Sequence, residues 1–151
     1  MKPEMALLLT LLFVMPGCLQ EQHRPGEFNK IETGLAEKAI DGDTILLQSG
    51  ERVRLIGLDA PEKGEKCWDR ARERLNGLVA GKRIVMERDF SERDKYGRLV
   101  RFVYVNGFFV NLAIVEEGLA EAFEFEPDNS RSKEFEEAEA RASEKGGCLW
   151  G

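Results

Sequence analysis

Two stretches of this chain combine acids and arginines at spacings that chemistry can use. The first runs I-D-G-D-T-I-L-L-Q-S-G-E-R-V-R-L-I-G-L-D-A-P-E from Ile40 to Glu62. Asp41-Gly42-Asp43-Thr44 is a tight acidic turn, a setting where Asp and Gly serve the backbone. Ile45 to Leu47 reads as a short strand and Ser49-Gly50 as a second turn. Val53 to Leu58 reads as a buried strand carrying one charge, Arg54. It ends at Asp59, because Pro61 forbids a continuing ladder. Paired as a hairpin, the two strands bring Asp43 and Asp59 together at their open end. Facing carboxylates repel unless something positive sits between them. A hard cation with oxygen ligands suits that position, and Glu62 is near enough to join. Taken alone, the same turn also suits a solvated hairpin.

The second stretch is Asp94-Lys95-Tyr96-Gly97-Arg98. With D-G-D-T and R-L-I-G-L-D-A-P-E, in that order and at near-family spacing, it resembles the staphylococcal nuclease (thermonuclease) family from about Leu35 to Trp150. The resemblance implies calcium-dependent hydrolysis of DNA and RNA phosphodiesters to 3′-phosphate products. It implies Asp43 and Asp59 as Ca2+ ligands, together with the backbone carbonyl of Ala60. It implies Arg54 and Arg98 as phosphate-binding arginines, and Glu62 as the glutamate beside the metal-bound water. Asp41 matches an acid that supports the metal ligands from behind. Lys95 and Tyr96, and Phe123 and Phe125 further on, match substrate-binding positions.

These residue types suit the reaction. Guanidinium forks bind phosphoryl oxygens as negative charge builds on them. A divalent cation polarises one oxygen, and Glu62 can take or orient a proton of the attacking water. Three departures bear on substrate rather than reaction type. The segment from Pro61 to Ala71 is several residues shorter than in the type enzyme. Phe123 and Phe125 replace tyrosines, which keeps stacking on a base and loses the hydroxyl. Glu121, Glu124 and Glu126 make that neighbourhood acidic.

The elements that must position these residues follow from periodicity. Leu35 to Ile40 is a first strand. Trp68, Ala71, Leu75, Leu78 and Val79 recur at helical spacing, with Trp68 expected in the core and Gly81 as the stop. Arg83 to Arg88 and Leu99 to Val105 are partner strands, and the loop between them carries Asp94 to Arg98. Phe109 to Glu117 is a short helix ended by Gly118. Leu119 to Phe125 is irregular or briefly extended. Asp128-Asn129-Ser130 offers N-caps for a last helix that buries Phe135, Ala138 and Ala142. This order predicts an α+β, mainly β fold: a closed, antiparallel, five-stranded OB-fold barrel with three helices. The resemblance implies the same barrel.

The 151 residues suffice for one domain with a real core. A net charge of −6 argues against a globally basic nucleic-acid binder. Its distribution matters more: residues 63–101 hold 12 Lys and Arg against 7 Asp and Glu, and residues 116–144 hold 3 against 11. A locally positive middle can attract phosphates on an acidic protein.

Residues 1–17 read as a signal peptide whose apolar run, Ala6 to Val14, is too short to span a bilayer. Pro16-Gly17-Cys18 has the small residue before Cys that a lipoprotein cleavage site needs, so Cys18 is a lipidation candidate; an ordinary signal peptide is the alternative. Residues 18–34 read as a flexible tether and 35–151 as the nuclease domain. The only histidine, His23, lies in the tether, which argues against Ser/His/Asp catalysis and His-ligated zinc. Of three cysteines, Cys67 and Cys148 remain once Cys18 is lipidated or removed. An exported compartment permits them to form a disulfide, and two reduced thiols are the alternative. The expectation is a secreted or surface-anchored monomer that meets nucleic acid as substrate and a membrane only through Cys18. Two competing readings are a non-catalytic OB-fold nucleic-acid-binding module and a calcium-stabilised structural domain. Intact acids and arginines oppose the first, and two arginines at the metal oppose the second.

Overall fold

β1, Ile31–Asp41, serves two partners along its length. Its first half pairs antiparallel with β5, Arg83–Glu87, from Ile31↔Glu87 to Leu35↔Arg83. Its second half pairs with β2, Thr44–Leu47, from Ala36↔Leu47 to Asp41↔Thr44. Register shifts between Ala36 and Lys38, and again between Ala39 and Asp41, bend the strand as bulges do. The computed structural model describes residues 30–151. The expected signal peptide, Cys18, His23 and the tether up to residue 29 lie outside the described residues. The last tether positions do not: Ile31 to Gly34 are paired strand, where Glu32 also reaches Arg101. Polar composition there reflects an exposed strand rather than a linker.

β2 continues to β3, Arg52–Leu55, and β5 to β6, Leu99–Val105, both antiparallel. The closing seam joins β3 to β6 in parallel, through Val53↔Leu99 and Arg54↔Val100. The five strands β3-β2-β1-β5-β6 therefore form a closed mixed barrel, not the all-antiparallel one expected from the order of elements. A parallel pair needs a long crossover, and the chain between Ile56 and Arg98 supplies it. The OB-type, mainly β architecture with three helices is present.

The expected strand over Val53 to Leu58 breaks at Ile56-Gly57. Gly57 has φ 87°, and a Cβ there would lie 2.3 Å from the Phe135 ring. The chain resumes as β4, Leu58–Asp59, which pairs with β8, Glu121–Ala122, in the segment expected to be irregular or briefly extended. A short β7, Phe108–Phe109, extends the sheet beyond β6.

Three helices cover the barrel: α1, Trp68–Val79; α2, Val110–Glu116; α3, Ser132–Lys145. Ala71, Leu75 and Val79 of α1 and Phe135, Ala138 and Ala142 of α3 are buried, as their spacing requires. Fully burying each large apolar side chain stabilises the fold by about 2 kcal/mol. Trp68 is not core. It is half-buried, with Nε1 donating to Asp41 Oδ1 at 2.9 Å. Asp128 does not cap α3; it accepts the backbone N–H groups of Phe90 and Ser91, and Arg131 takes the N-cap position without a side-chain cap.

Two buried polar side chains knit the layers. Asn111 accepts from Val103 N–H and donates to the carbonyls of Ile56 and Arg101. Arg101, 2% exposed, is paired with Glu32 and Glu92 and donates to two carbonyls. Every such group is satisfied, which is the condition for burying it without penalty. Cys67, at the head of α1, is bonded to Cys148 beyond α3, with Cα atoms 6.0 Å apart.

Candidate active site

The turn between β1 and β2 sets the floor of the site. Gly42 is required there by close approach: a Cβ would lie 2.6 Å from the Ala71 Cβ and 2.8 Å from the Ala60 Cβ. That contact presses the acidic turn against the L-D-A-P segment. Asp43 is consequently buried, and its two oxygens are fixed. Thr44 Oγ1 donates to Oδ1 at 2.8 Å, and the Ala60 N–H donates to Oδ2 at 3.0 Å.

Arg54 lies beneath both aspartates. Its Nη1 donates to the carbonyls of Leu55 and Leu58 at 2.7 and 2.9 Å. Its Nη2 lies 2.9 Å from Asp59 Oδ1 and 3.4 Å from Asp43 Oδ2. The positive charge that two facing carboxylates demand is therefore a guanidinium of the chain itself. Burial draws the Arg54 pKa down and the two aspartates hold it up; an arginine remains charged throughout. Asp59 is pushed above the ordinary carboxylate range. Desolvation is the main cause, Asp43 and Glu65 add to it, and Arg54 opposes it.

The open side of these carboxylates could also hold a hard cation, since the Asp59 side chain is 54% exposed. Asp43 and Asp59 face it from two elements, Ala60 adds backbone oxygen, and among the described residues no sulfur or imidazole donor lines the cleft. Asp43 and Glu65 add negative charge around Asp59, which a divalent cation there would offset. Among the described residues no three of His, Cys, Asp and Glu gather as a metal-ligand group. Asp43, Asp59 and Ala60 would supply such a shell with two carboxylates and a carbonyl.

Around this point the chain opens a cleft of about 520 Å³. Arg54, Glu62 and Arg98 line it, as do Asp41, Asp43, Asp59 and Ala60. Lys95, Tyr96, Phe123 and Phe125 line it too, so the residues that the resemblance implies for metal, phosphate and substrate are brought to one place. Glu62 is exposed, and its backbone N–H is held by Glu65 Oε2 at 2.7 Å. Arg98 donates through Nε to Asp94 Oδ2 at 2.6 Å, and its guanidinium lies 5.2 Å from the Tyr96 ring centre. Phe125 lies 5.0 Å from the Arg54 guanidinium and 4.5 Å from Phe123, which is 47% exposed. The aromatic wall therefore has an inner ring packed on arginine and an outer ring open to a ligand.

Three further residues line the cleft to which the sequence reading gave no role in the site: Thr44 of D-G-D-T, Pro61 of L-D-A-P-E, and Arg52. Thr44 was legible only as part of a turn. Arg52 was legible through strand alternation, since residues two apart share a face.

The geometry agrees with what similarity finds. The sequence pattern of the family described as "Staphylococcal nuclease homologue" matches residues 52–151. Asp41 and Asp43 lie before that matched range. The chain is 31% identical over 128 residues to a protein named "Thermonuclease" from Staphylococcus intermedius, covering 79% of this chain and 76% of that one. It is 34% identical over 125 residues to "SPbeta prophage-derived endonuclease YokF" of Bacillus subtilis (strain 168), covering 76% of this chain and 42% of that longer protein. It is 35% identical over 125 residues to "Endonuclease YncB" of the same strain, covering 76% and 59%. With the barrel, the cleft and these likenesses together, the chain belongs to the staphylococcal nuclease homologue family.

Proposed function

We propose that this protein is a calcium-dependent nuclease that hydrolyses phosphodiester bonds of DNA and RNA in the cleft between the D-G-D-T turn and the D-K-Y-G-R loop. One observation carries the reading: acids, arginines and aromatics from three separate chain segments converge on a single open cleft. The names of the relatives support the same reaction class.

In this reading Asp43, Asp59 and the Ala60 carbonyl hold calcium, which supplies a Lewis acid for one phosphoryl oxygen. Arg54 and Arg98 present guanidinium edges to the remaining oxygens as charge builds on them. Glu62, exposed and close to Asp59 in the chain, takes or orients the proton of the attacking water. Asp94 fixes Arg98 before substrate arrives, so less ordering is needed on binding. Phe123 and Tyr96, both exposed, offer faces on which unstacked bases rest. Cleavage leaving 3′-phosphate ends belongs to this proposal.

The proposal extends to compartment. The apolar run Ala6 to Val14, the Gly17-Cys18 pair and the bonded Cys67 and Cys148 support an exported protein, secreted or held at the surface through lipid on Cys18. It acts as a monomer in this reading.

The test is direct. Purified protein incubated with denatured DNA, and separately with RNA, should degrade both in calcium and neither in chelator, leaving 3′-phosphate ends. Equal rates in magnesium and calcium would sink the metal assignment, because magnesium demands tighter octahedral geometry and keeps its waters. Tight binding of either polymer without cleavage in calcium would favour a binding module instead.

A further inference from the structure

Three arginines line the cleft, and two are braced by groups of the chain itself. Arg54 is held by Asp43, Asp59 and two carbonyls, and Arg98 by Asp94. Arg52 is exposed, and among the described residues no carboxylate or carbonyl holds its guanidinium.

Its place in the barrel is specific. Arg52 and Arg54 are two apart on β3, so their side chains leave the same face, about 7 Å apart at the usual strand rise. On the parallel seam, Val53 pairs with Leu99 and Arg54 with Val100. Arg52 and Arg98 directly precede the Val53–Leu99 pair in the chain. All three arginines thus enter one cleft from the same seam, and Arg52 is the one without a partner among the described residues. The loop that carries Arg98 adds Lys95 to the same wall. The segment bearing Phe123 and Phe125 carries Glu121, Glu124 and Glu126, which repel phosphate.

We infer that Arg52 binds the phosphate adjacent to the scissile one on a single-stranded polynucleotide, so that the backbone runs along the β3–β6 seam while its bases turn toward the aromatic wall. The inference rests on the nuclease reading for the identity of the ligand. The two-residue spacing of Arg52 and Arg54 along β3 is of the order of the step between successive phosphates of an extended strand. Arg52 contributes to holding the polymer and not to the bond being broken, because the inner pair of arginines already serves that phosphate.

The experiment uses the full chain with Arg52→Ala and Arg52→Lys. Binding of a labelled single-stranded oligonucleotide is followed by anisotropy across a salt series in chelator, where cleavage does not intervene. The slope of log K against log salt should be shallower in Arg52→Ala by about 0.7, the value of one phosphate contact on a single strand. Arg52→Lys, which keeps the charge, should retain the slope. In calcium, the loss of kcat/KM in Arg52→Ala should be several-fold greater on the oligonucleotide than on a dinucleotide with a single phosphodiester. An unchanged salt slope would overturn the inference, and so would equal losses on the two substrates. If the protein cleaves neither substrate while the slope still depends on Arg52, the nuclease reading fails and the phosphate contact stands.

Discussion

Asp94 accepts three hydrogen bonds: two from Arg98, through the guanidinium Nε to Oδ2 and the backbone N–H to Oδ1, and one from the Tyr96 N–H to Oδ1. Partial burial alone would raise the Asp94 carboxyl. The Arg98 side chain and these backbone donors outweigh it and hold the carboxyl below the ordinary range. The sign follows: a folded-state pKa below the unfolded one gives stability that is full above about pH 4 and is lost as pH falls through the lower folded value. Asp94→Asn should therefore flatten the acid limb of the Tm–pH curve below about pH 4 and change the curve's shape little near neutrality. Thermal melts of both proteins across that range check it, and an unchanged acid limb would contradict it. At this scale the sequence made residue types and their neighbours visible. It could not show which positive charge separates Asp43 from Asp59, because repulsion demands a cation without specifying a metal or a guanidinium. Nor could it show that Asp128 serves the Phe90-Ser91 backbone, since a capping acid and a loop-bracing acid look alike before folding.

The elements that carry the site depend on close approach more than on propensity. Gly42 lets the acidic turn touch both Ala71 of α1 and Ala60 beyond β4. Gly42→Ala must push those backbones apart, at a cost of about 1–3 kcal/mol for overpacking. Asp43 would lose its bond from the Ala60 N–H at the same time, so activity should fall together with Tm. A variant with native stability and turnover would show that the turn has slack. The strands and helices were largely legible, because alternation and helical spacing persist wherever one face is buried. The break at Ile56-Gly57 was not, because it answers to Phe135, a ring that lies about 80 residues away in sequence. Trp68 was misplaced for a related reason. An indole at a core spacing reads as core, but its N–H needs a partner and Asp41 supplies one at the edge of the cleft.

At the scale of the whole molecule, two long-range links assemble the site. The Cys67–Cys148 bond joins residues 81 apart and ties the chain end to the head of α1, next to Trp68. Loop-closure entropy makes it worth on the order of 4 kcal/mol, so reductant or Cys148→Ser should lower the urea midpoint clearly. Equal midpoints with and without reductant would contradict that weight. The other link is closure of the barrel through β3 and β6, which carries Arg98 from a distant loop to the side of Arg54. Parallel closure was hidden in the order of elements, and only the D-K-Y-G-R motif hinted that the two arginines meet. The central claim is that they meet in order to grip one phosphate. The measurement that tests it most directly is kcat of Arg98→Ala on denatured DNA in calcium, taken with its thermal midpoint. The account predicts a folded protein whose kcat is lower by roughly a hundredfold or more, the scale of losing one transition-state donor. It also predicts little rescue in Arg98→Lys, since a point charge cannot reproduce the planar fork. A folded Arg98→Ala protein with near-wild-type turnover would contradict the account.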